Sequence, residues 1–405
     1  MTTLLKPARR VYRGGRTIVQ TLRSFGMDSV GLAVRYAAAM PFPAGSDLEH
    51  LTASLAWLRR AQDAAGDGVA ALFSLDAGWD LPYPETSGYI VATFLAAGAF
   101  PGNDDLRQRA KRIGDWEIAI QAPNGGVYSR PGLPDTRVFN TGQVILGWCA
   151  LYESLGDSRY LDAANRAGEY LVRLQEANGT WVRDTYCGAR TYHARTDWGL
   201  LRLAALTARP EFVEAARSNL RWVMAQQQEN GWFRNCGFHD EDPITHVIDY
   251  TLIGVLECAM LKPDLFDRKP AELIESSAKA ICDIVARSCV GGIAGMIPAS
   301  FNSEWQSADE HSCLTGNAQL AYTLFRLYRI TGKNRYATCA DLLLSALKRT
   351  QVLAGAPDEV RGAIPGSFPM YKGYLANSFP NWAAKFFADA LLASLKREED
   401  FAVTA

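Results

Sequence analysis

The sequence predicts an all-α repeat protein built from six helical hairpins, and three observations support this prediction. An aromatic residue stands five positions before a glutamine, and a glycine follows four positions after it, four times along the chain. A polar and small residue pair opens an apolar helical run once in each period. Short and long connections alternate between the predicted helices. The copies of the first pattern are Trp57/Gln62/Gly66, Trp116/Gln121/Gly125, Tyr170/Gln175/Gly179 and Trp222/Gln227/Gly231.

The glutamine pattern marks the end of the first, outer helix of a hairpin. Successive glutamines lie 59, 54 and 52 residues apart, which is too long for one helix and suits a hairpin. A glutamine side chain can bond exposed backbone at a helix end, and glycine permits the turn that follows. The pattern weakens in the last two hairpins, where Gly291-Gly292 follows a helix without the glutamine and Gln351 leads into a longer segment. We interpret these residues as scaffold.

The second, inner helix of each hairpin is more apolar, and over the first four hairpins its start recurs with a similar period of 52 to 55 residues. The Ser, Thr and Asn residues at these starts are predicted to cap the helices. Six outer and six inner helices follow. The recurring starts are Ser87-Gly88-Tyr89, Thr141-Gly142-Gln143, Thr196-Asp197-Trp198, Ile248-Asp249-Tyr250, Thr315-Gly316-Asn317 and Pro380-Asn381-Trp382.

The connections predict where function lies. Links from inner to outer helices are short, as at 156–158 and 332–334, whereas links from outer to inner helices are long, roughly 15 to 20 residues. Long loops that gather at one end of a rigid scaffold usually hold the functional residues. We therefore expect a cleft at the N-terminal ends of the inner helices.

Composition places the chain among soluble globular proteins. It has 405 residues, of which 48% are hydrophobic and 21% charged, with a net charge of −1 that favours no binding to nucleic acid. No apolar run approaches the length of a membrane span. The eight cysteines form no C-x-x-C pair, which indicates a reducing compartment and a cytoplasmic protein. We predict an arm at 1–44, one helical domain at 45–398 and a tail at 399–405.

The arm is basic, with seven basic residues and one acidic residue among the first 36. Ile18, Leu22 and Phe25 recur at helical spacing between the charges. Such an amphipathic helix either touches an anionic membrane surface, at the inner face of the membrane, or packs across the domain. We favour packing.

The segment Gln175-Glu-Ala-Asn-Gly179-Thr-Trp181 fits the form Q-x-x-x-G-x-W, and Phe233 and Val127 take the last place in two other copies. This form resembles the QW-type repeat of terpenoid cyclases and protein prenyltransferases. The layout over residues 45–398 also resembles the six-hairpin (α/α)6 toroids of glycoside hydrolases, polysaccharide lyases and sugar epimerases. The resemblance implies an all-α (α/α)6 toroid and is poorly specific for any one activity.

The terpenoid cyclase or prenyltransferase alternative lacks its acidic elements. No Asp-x-Asp-Asp is present, and Asp104-Asp105 has no third partner. A carbohydrate-active enzyme for an acidic oligo- or polysaccharide fits the long loops better, because they combine aromatic faces for sugar rings with polar groups for hydroxyls. The substrate-binding candidates are Tyr83, Arg137, Asn140, Arg195, His239, Trp305, His311, Tyr374 and Asn377.

Two reactions fit these loops. The first is proton abstraction beside a carboxylate, as in uronate lyases and C5-epimerases, with Tyr192, His193 and His246 as acid and base candidates. The second is glycoside hydrolysis by paired carboxylates from Glu85, Asp197 and Asp249, of which the two aspartates occupy equivalent positions in adjacent repeats. A non-catalytic glycan-binding toroid is a further alternative. We predict no metal site and no cofactor; a divalent cation and the role of Asp240-Glu241-Asp242 stay open.

Overall fold

The computed structural model describes the backbone of residues 2–239 and 241–402, and the side chains of residues 13–239 and 241–397. Asp240 and the last residues of the predicted tail lie outside the described part. Within it the chain forms fifteen α-helices. They are α1 (Thr2–Phe25), α2 (Val30–Ala37), α3 (Asp47–Ala65), α4 (Pro84–Ala97), α5 (Leu106–Ala119), α6 (Val138–Leu155), α7 (Ser158–Leu174), α8 (Ala194–Thr207), α9 (Pro210–Met224), α10 (Thr245–Leu261), α11 (Pro270–Leu273), α12 (Glu275–Arg287), α13 (Leu314–Thr331), α14 (Asn334–Lys348) and α15 (Asn381–Ala402).

Twelve of these helices form two concentric rings, as the repeat predicts. The inner ring is α4, α6, α8, α10, α13 and α15, in which each helix packs against the next and α15 packs back against α4. The outer ring is α3, α5, α7, α9, α12 and α14, and α15 also packs against α3. The chain therefore closes on itself, and the prediction of an all-α (α/α)6 toroid is confirmed.

The two rings differ in how their helices are buried. The outer helix α7 buries one face, with Tyr160, Ala163, Ala167 and Tyr170 at the three- and four-residue spacing of an amphipathic helix. The inner helix α10 buries every residue over 245–259, because it is covered by the outer ring on one side and by the ring interior on the other. The apolar inner runs and mixed outer runs of the sequence have this physical origin.

The recurring glutamine joins neighbouring outer helices. The Gln175 amide Nε2 donates to the Gly179 carbonyl at 3.0 Å and to the Ala215 carbonyl in α9 at 2.8 Å. Gly179 has φ of +84°, and a Cβ there would lie 2.5 Å from the Ser218 carbonyl oxygen. The other glutamines repeat the bond to the next outer segment: Gln62 to Arg109, Gln121 to Ala163 and Gln227 to Leu273, at 3.1, 3.0 and 2.7 Å.

This pair of contacts, a glutamine bonded to the next outer helix and a glycine packed against it, is the glutamine–glycine joint. The sixth hairpin contains the same joint in an altered form. The Gln351 amide donates to the Gly362 carbonyl at 2.7 Å and to the Ser54 hydroxyl of α3 at 2.8 Å. Gly362 lies against the backbone of Ala53, as Gly179 lies against α9. Gln351 and Gly362 are eleven positions apart instead of four, so an insertion hid the motif in the sequence.

The Ser and Thr residues at the inner helix starts do not cap their helices as predicted. Helix α4 begins at Pro84 and α6 at Val138, so Ser87 and Thr141 lie in the first turn. Ser87 Oγ accepts a hydrogen bond from the Val69 amide, and Thr141 Oγ1 accepts one from Val127, each at 3.0 Å. For these two residues the capping prediction is wrong, because each hydroxyl bonds a backbone amide of the loop that precedes the helix and not one at the helix start.

Short strands tie the long loops together at the end of the ring where the inner helices begin. Strands β1 (Leu72–Ser74), β2 (Gly78–Trp79) and β7 (Ser378–Pro380) form an antiparallel sheet in the order β2-β1-β7. This sheet joins the first hairpin to the last. Two further pairs of strands are antiparallel: β3 (Cys289–Val290) with β4 (Ile293–Ala294), and β5 (Ser312–Cys313) with β6 (Ser367–Phe368).

The N-terminal arm packs against this sheet and its neighbouring loop. Thr17 Oγ1 donates to the Asn377 amide oxygen at 2.9 Å, and Asn377 donates in turn to Gln20 at 2.6 Å. The Phe25 ring stacks on Phe73 with 5.8 Å between centroids. Packing across the domain, the favoured prediction for the arm, is confirmed for these residues. Within the described part of the chain, no helix combines the length and the apolar character needed to cross a membrane.

Candidate active site

Glu85 lies at the start of the inner helix α4 and is nearly inaccessible to solvent. Its carboxyl oxygen is 2.8 Å from the Tyr83 hydroxyl. Burial raises the pKa of Glu85 to about 7, although the Tyr83 hydrogen bond and the positive charge of Arg195 lower it. A carboxyl group with that pKa exchanges a proton near neutral pH, which is the property required of a general acid.

A chain of hydroxyl groups continues from Glu85 across the ends of three hairpins. The Tyr83 and Tyr186 oxygens are 2.7 Å apart, and the Tyr186 hydroxyl donates to the Asn140 amide oxygen at 3.0 Å. The Asn140 nitrogen donates to the Tyr128 carbonyl at 3.1 Å, which fixes the orientation of the amide. Burial raises the pKa of Tyr186, so its hydroxyl stays protonated.

Counting protons in this chain favours a protonated Glu85. The contacts from Glu85 to Tyr83, from Tyr83 to Tyr186 and from Tyr186 to Asn140 each need one hydrogen. The two tyrosines supply only two, because the Asn140 oxygen can only accept. A carboxyl hydrogen on Glu85 completes the set, with each group donating to the next. Ionisation of Glu85 therefore leaves one of the three contacts without its hydrogen.

Aromatic and cationic groups surround the open side of this chain. Tyr186 is 39% exposed although its hydroxyl group is desolvated, and Tyr83 is partly exposed. The Arg130 guanidinium lies over the Tyr83 ring at 5.4 Å, and that of Arg137 lies over the Tyr186 ring at 5.3 Å. The Trp382 ring borders Tyr83 at 6.2 Å between centroids. Arg130 is paired with Asp80 at 3.1 Å and Arg137 with Asp135 at 2.6 Å, so the result is an aromatic surface bordered by two ion pairs.

Arg195 lies deeper, in the centre of the ring. It is 3% exposed, and its Nε donates to the Gln143 amide oxygen at 2.5 Å. Its guanidinium carbon is 5.3 to 5.6 Å from the ring centres of Tyr89, Trp198, Tyr250 and Phe386. A buried cation held by aromatic faces acts on every titratable group nearby.

Glu85, Tyr83, Tyr186, Asn140 and Trp382 form what we call the Glu85 cluster. Tyr374 and His246 border this cluster on the side of Trp382. The Trp382 indole donates to the Tyr374 hydroxyl at 3.1 Å, and the His246 ring lies between Tyr250 and Tyr374. Burial lowers the pKa of His246 to about 4, and Gln319 contacts its Nδ1 at 2.9 Å. His246 is therefore neutral at physiological pH.

Tyr192 and His193, the first acid and base candidates, lie in the protein core with no exposed surface. The Tyr192 ring packs on Phe139 and Phe238, and neither ring nitrogen of His193 has a hydrogen-bond partner among the described residues. Burial lowers the pKa of His193 to about 3. The structure does not bring these two side chains to the Glu85 cluster.

Asp197 and Asp249, expected to be neighbours, have separate environments. Asp197 is fully buried, its carboxyl oxygens have no hydrogen-bond partner among the described residues, and burial raises its pKa well above the ordinary value. Asp249 accepts a hydrogen bond from Thr323 at 2.8 Å and faces a cavity inside the ring, where burial raises its pKa to about 7.

The remaining candidates lie in the long loops away from Glu85. Trp305 packs on Trp232 and donates its indole hydrogen to the Asn230 carbonyl at 3.1 Å. His311 lies 3.6 Å from Asp309, and His239 is exposed. Asn377 is occupied by the contacts with the N-terminal arm.

Several residues of the cluster were missed by sequence reasoning. Tyr186 lies in a loop without periodicity, so no signal marked it. Tyr89, Gln143, Trp198 and Tyr250 had a signal: each is the third residue of a recurring inner-helix start, and each contacts Arg195. The third position of the repeat therefore points into the ring, and the larger side chains there could have been predicted as lining residues.

The fold matches that of solved carbohydrate enzymes. An unsaturated glucuronyl hydrolase specific for heparin superposes with a TM-score of 0.70 at 15% identity, covering 87% of this chain and 98% of its own. The unsaturated glucuronyl hydrolase of Bacillus sp. GL1, responsible for the degradation of glycosaminoglycan, gives 0.68 at 15% identity over 87% and 97%. A sugar epimerase from a ruminal bacterium gives 0.67 at 12% identity over 85% and 97%. No protein-family model and no curated protein sequence matches the chain. At these identities the likeness shows the toroid alone.

The described residues contain no group of three or more His, Cys, Asp and Glu side chains arranged to hold a metal ion. The prediction of no metal and no cofactor stays a prediction.

Proposed function

We propose that this protein is a carbohydrate-active enzyme that hydrolyses acidic oligosaccharides carrying an unsaturated uronyl residue, with Glu85 as the proton donor. The observation that supports this best is the buried carboxyl group of Glu85, which is hydrogen-bonded to Tyr83, has a pKa near 7 and lies at the end of the ring where the long loops meet. The solved structures with the same fold include two hydrolases of unsaturated glucuronyl residues.

The number of carboxyl groups favours this reaction over ordinary glycoside hydrolysis. Ordinary hydrolysis uses two carboxyl groups on either side of the scissile bond. Among the described residues, the hydrogen bonds from Glu85 through Tyr83 and Tyr186 to Asn140 involve no second carboxyl group. An unsaturated uronyl residue is an enol ether, and its carbon–carbon double bond can be opened by one acid.

Glu85 can serve that reaction through a complete proton cycle. The carboxyl proton adds to the ring carbon of the double bond, and an oxocarbenium ion forms at the adjacent carbon. Water attacks that carbon, and the Glu85 carboxylate takes the proton that the water loses. The resulting hemiketal opens to a ketone, which leaves the ring oxygen as a hydroxyl on the anomeric carbon. This hemiacetal breaks down to an aldehyde and releases the neighbouring sugar as an alcohol, and the enzyme is back in its starting protonation state.

The surroundings of Glu85 suit an anionic sugar. The faces of Tyr83, Tyr186 and Trp382 offer packing for the C–H surface of a pyranose ring. Arg130 and Arg137 lie over the Tyr83 and Tyr186 rings and are paired with Asp80 and Asp135, so a uronyl carboxylate would share these guanidinium groups with the two aspartates. The proposal of an acidic substrate is supported by these groups and by the two solved hydrolases with the same fold.

Proton abstraction by Tyr192 and His193, the uronate lyase or C5-epimerase mechanism, has less support. Both side chains are buried in the core, so a bound sugar would reach neither without a rearrangement of the loop around them. Glu85 is buried as well, but its hydrogen bonds lead through Tyr83 to the exposed Tyr186 ring.

The test is an assay of purified protein on unsaturated glycosaminoglycan disaccharides, following the ultraviolet absorbance of the double bond and the released sugar. We expect the absorbance to fall, and Glu85→Gln to lower the rate about 10²- to 10⁴-fold, the usual contribution of a general acid. Glu229→Gln, which removes an exposed carboxylate, is the matched control and keeps full activity. Rising absorbance on an intact polysaccharide would identify a lyase instead, and an isomerised product without change in absorbance would identify an epimerase.

A further inference from the structure

Two cysteines on neighbouring outer helices contact each other in the last two hairpins. Cys282 lies on α12 and Cys339 on α14, 57 positions apart in the chain. The Cys339 Sγ lies 3.8 Å from the Cys282 carbonyl oxygen, and the two thiol groups are joined by a hydrogen bond. The sequence contains no C-x-x-C pair, so it is the packing of the helices that brings these two sulfur atoms together.

The two helices are held together around this pair. Arg335 precedes Cys339 by one turn of α14. Its guanidinium donates to the Lys279 carbonyl at 3.1 Å and to the Asp283 carboxylate at 2.8 Å, both in α12. Cys282 lies between these two α12 residues in the chain. The contact between the thiols is therefore set by two bonded helices and does not depend on the course of a loop.

The two thiols differ in acidity. The Cys282 thiol donates a hydrogen bond to the Cys339 sulfur, which lowers the pKa of Cys339, and the positive charge of Arg335 lowers it further against the effect of burial. The same hydrogen bond, together with burial, raises the pKa of Cys282. The thiolate is the nucleophilic form of cysteine, so Cys339 is the better nucleophile of the two.

The pair lies close to the surface of the outer ring. Cys339 is 6% exposed and Cys282 is 1% exposed. The Arg335 guanidinium contacts the Cys282 thiol, and the Arg335 side chain is 43% exposed. The sulfur atoms therefore lie beside a side chain that reaches solvent. We expect an oxidant as small as hydrogen peroxide to enter along this side chain.

Packing alone does not account for this arrangement. A free cysteine in a protein core commonly serves as a small apolar side chain. That role explains Cys149 and Cys258, which are buried in inner helices and whose pKa values are raised by burial. It does not explain a thiol that bonds a second thiol and has a guanidinium beside it, because those contacts favour the reactive thiolate.

We propose that Cys282 and Cys339 form a reversible disulfide bond between α12 and α14 when the protein meets a peroxide. The Cys339 thiolate attacks one peroxide oxygen and becomes a sulfenic acid, while the O–O bond breaks and hydroxide leaves with the proton that the thiol had lost, as water. The Cys282 sulfur then attacks the Cys339 sulfur, the S–O bond breaks, and a second water leaves with the Cys282 proton.

In this sequence two thiols and one peroxide molecule give one disulfide and two water molecules. A dithiol reductant reverses it. The reducing compartment predicted from the sequence suits a bond that forms only during oxidation, because permanent disulfides are rare there. The pair lies on the outer ring and contains no residue of the Glu85 cluster, so the proposal does not depend on the proposed function.

The test is treatment of the folded full chain with hydrogen peroxide, followed by blocking of free thiols, digestion with trypsin and mass spectrometry without reductant. Trypsin places Cys282 in peptide 280–287 and Cys339 in peptide 336–348, and neither peptide contains another cysteine. We expect the two peptides to appear joined, with a mass two hydrogens below their sum, and to separate after dithiothreitol. The proposal is overturned if they stay separate while peroxide oxidises the exposed Cys289.

Single variants test the role of each thiol. Cys282→Ser should leave Cys339 as a sulfenic acid that dimedone labels, whereas Cys339→Ser should leave Cys282 unlabelled. Cys289→Ser, which removes an exposed cysteine, is the matched control and should form the joined peptides as the original chain does. Equally fast labelling of Cys282 in Cys339→Ser would overturn the assignment of Cys339 as the attacking thiol.

A further variant tests the guanidinium. Arg335→Gln removes the positive charge beside the thiols and should slow disulfide formation roughly three- to tenfold, because a smaller fraction of Cys339 is ionised. Arg287→Gln, which removes an exposed arginine of α12, is the control and should leave the rate unchanged. An unchanged rate in Arg335→Gln would show that the guanidinium does not activate Cys339.

Discussion

At the scale of single residues, the protonation of Glu85 decides what the candidate site can do. Its ordinary pKa is below 5 and burial raises it to about 7, so the acid form persists to neutral pH. The hydroxyl chain through Tyr83 and Tyr186 is complete only when that proton is present. Catalysis and local hydrogen bonding therefore depend on the same hydrogen.

The pH dependence of the reaction follows from the raised pKa. A general acid works in its protonated form, so activity should be high below about pH 7 and fall as the pH rises through the pKa of Glu85. A pH–rate profile of kcat/KM on an unsaturated disaccharide measures this. Activity that instead rises above pH 7 would mean that the ionised carboxylate is the working form, and that Glu85 acts as a base.

A second buried carboxyl group, Glu117 on the outer helix α5, has no partner for either oxygen among the described residues. Burial raises its pKa well above the ordinary value. Replacing it with the similarly shaped methionine removes an unsatisfied polar group, so Glu117→Met should stabilise the fold by about 1–3 kcal/mol.

The stabilisation by Glu117→Met should also grow with pH. A carboxyl group whose pKa is raised on folding contributes stability below its unfolded pKa, and that contribution is lost as the pH rises toward the folded pKa. Urea unfolding at pH 4 and pH 7 tests this, with Glu229→Gln as an exposed control. Equal stability of the variant and the original chain at pH 7 would show that Glu117 has a polar partner after all.

At the scale of elements, a glycine in the glutamine–glycine joint should tolerate substitution less well than a glycine outside it. Gly179 and Gly132 both have positive φ, but a Cβ would meet the Ser218 carbonyl at 2.5 Å in the first case and nothing within 4 Å in the second. We expect Gly132→Ala to cost about 1 kcal/mol from backbone strain alone. Gly179→Ala should cost about 2–4 kcal/mol, because the outer helices must also separate.

The comparison is made by urea unfolding of both variants, with Gln175→Ala as a third. The glutamine variant leaves the Ala215 carbonyl without its bond, and we expect a loss of about 1–3 kcal/mol. If Gly179→Ala is no worse than Gly132→Ala, the close approach of α9 is not rigid and the joint does not set the spacing of the outer ring.

At the scale of the whole molecule, closure of the ring predicts that the chain unfolds as a unit. The seam lies where α15 and Gln351 meet α3. In an open stack, weakening one end would release that end first, whereas in a closed ring every hairpin has two neighbours. Gln351→Ala should therefore lower the melting temperature in a single transition. Calorimetry together with far- and near-ultraviolet circular dichroism tests this, and a separate early transition would contradict it.

The sequence predicted the toroid well because successive hairpins use the same residue type for the same contact between outer helices. A glutamine must reach the next outer helix, as Gln62, Gln121, Gln175 and Gln227 do, so the period is visible. The sixth joint was hidden by the insertion between Gln351 and Gly362. The repeat also marked the inner-helix positions whose side chains surround Arg195. The structure shows that these side chains point into the ring.

The candidate site was predicted in part. Glu85, Tyr83, Asn140 and Tyr374 lie at the expected end of the ring, because helix starts fix their place. Tyr192 and His193 share that end but turn into the core, since a loop side chain has no periodicity that tells inside from outside. The cavity inside the ring that Asp249 faces was missed, because it is made by side chains from several helices whose distances no single repeat reveals.

Arg195 lies between the two ends, and its charge lowers the pKa of both Glu85 and Asp249. A negative charge on Asp249 offsets part of that effect, so ionisation of Asp249 raises the pKa of Glu85. By thermodynamic reciprocity, ionisation of Glu85 raises the pKa of Asp249 by the same amount. Two carboxyl groups on different helices are thereby coupled without any change of shape, through one guanidinium.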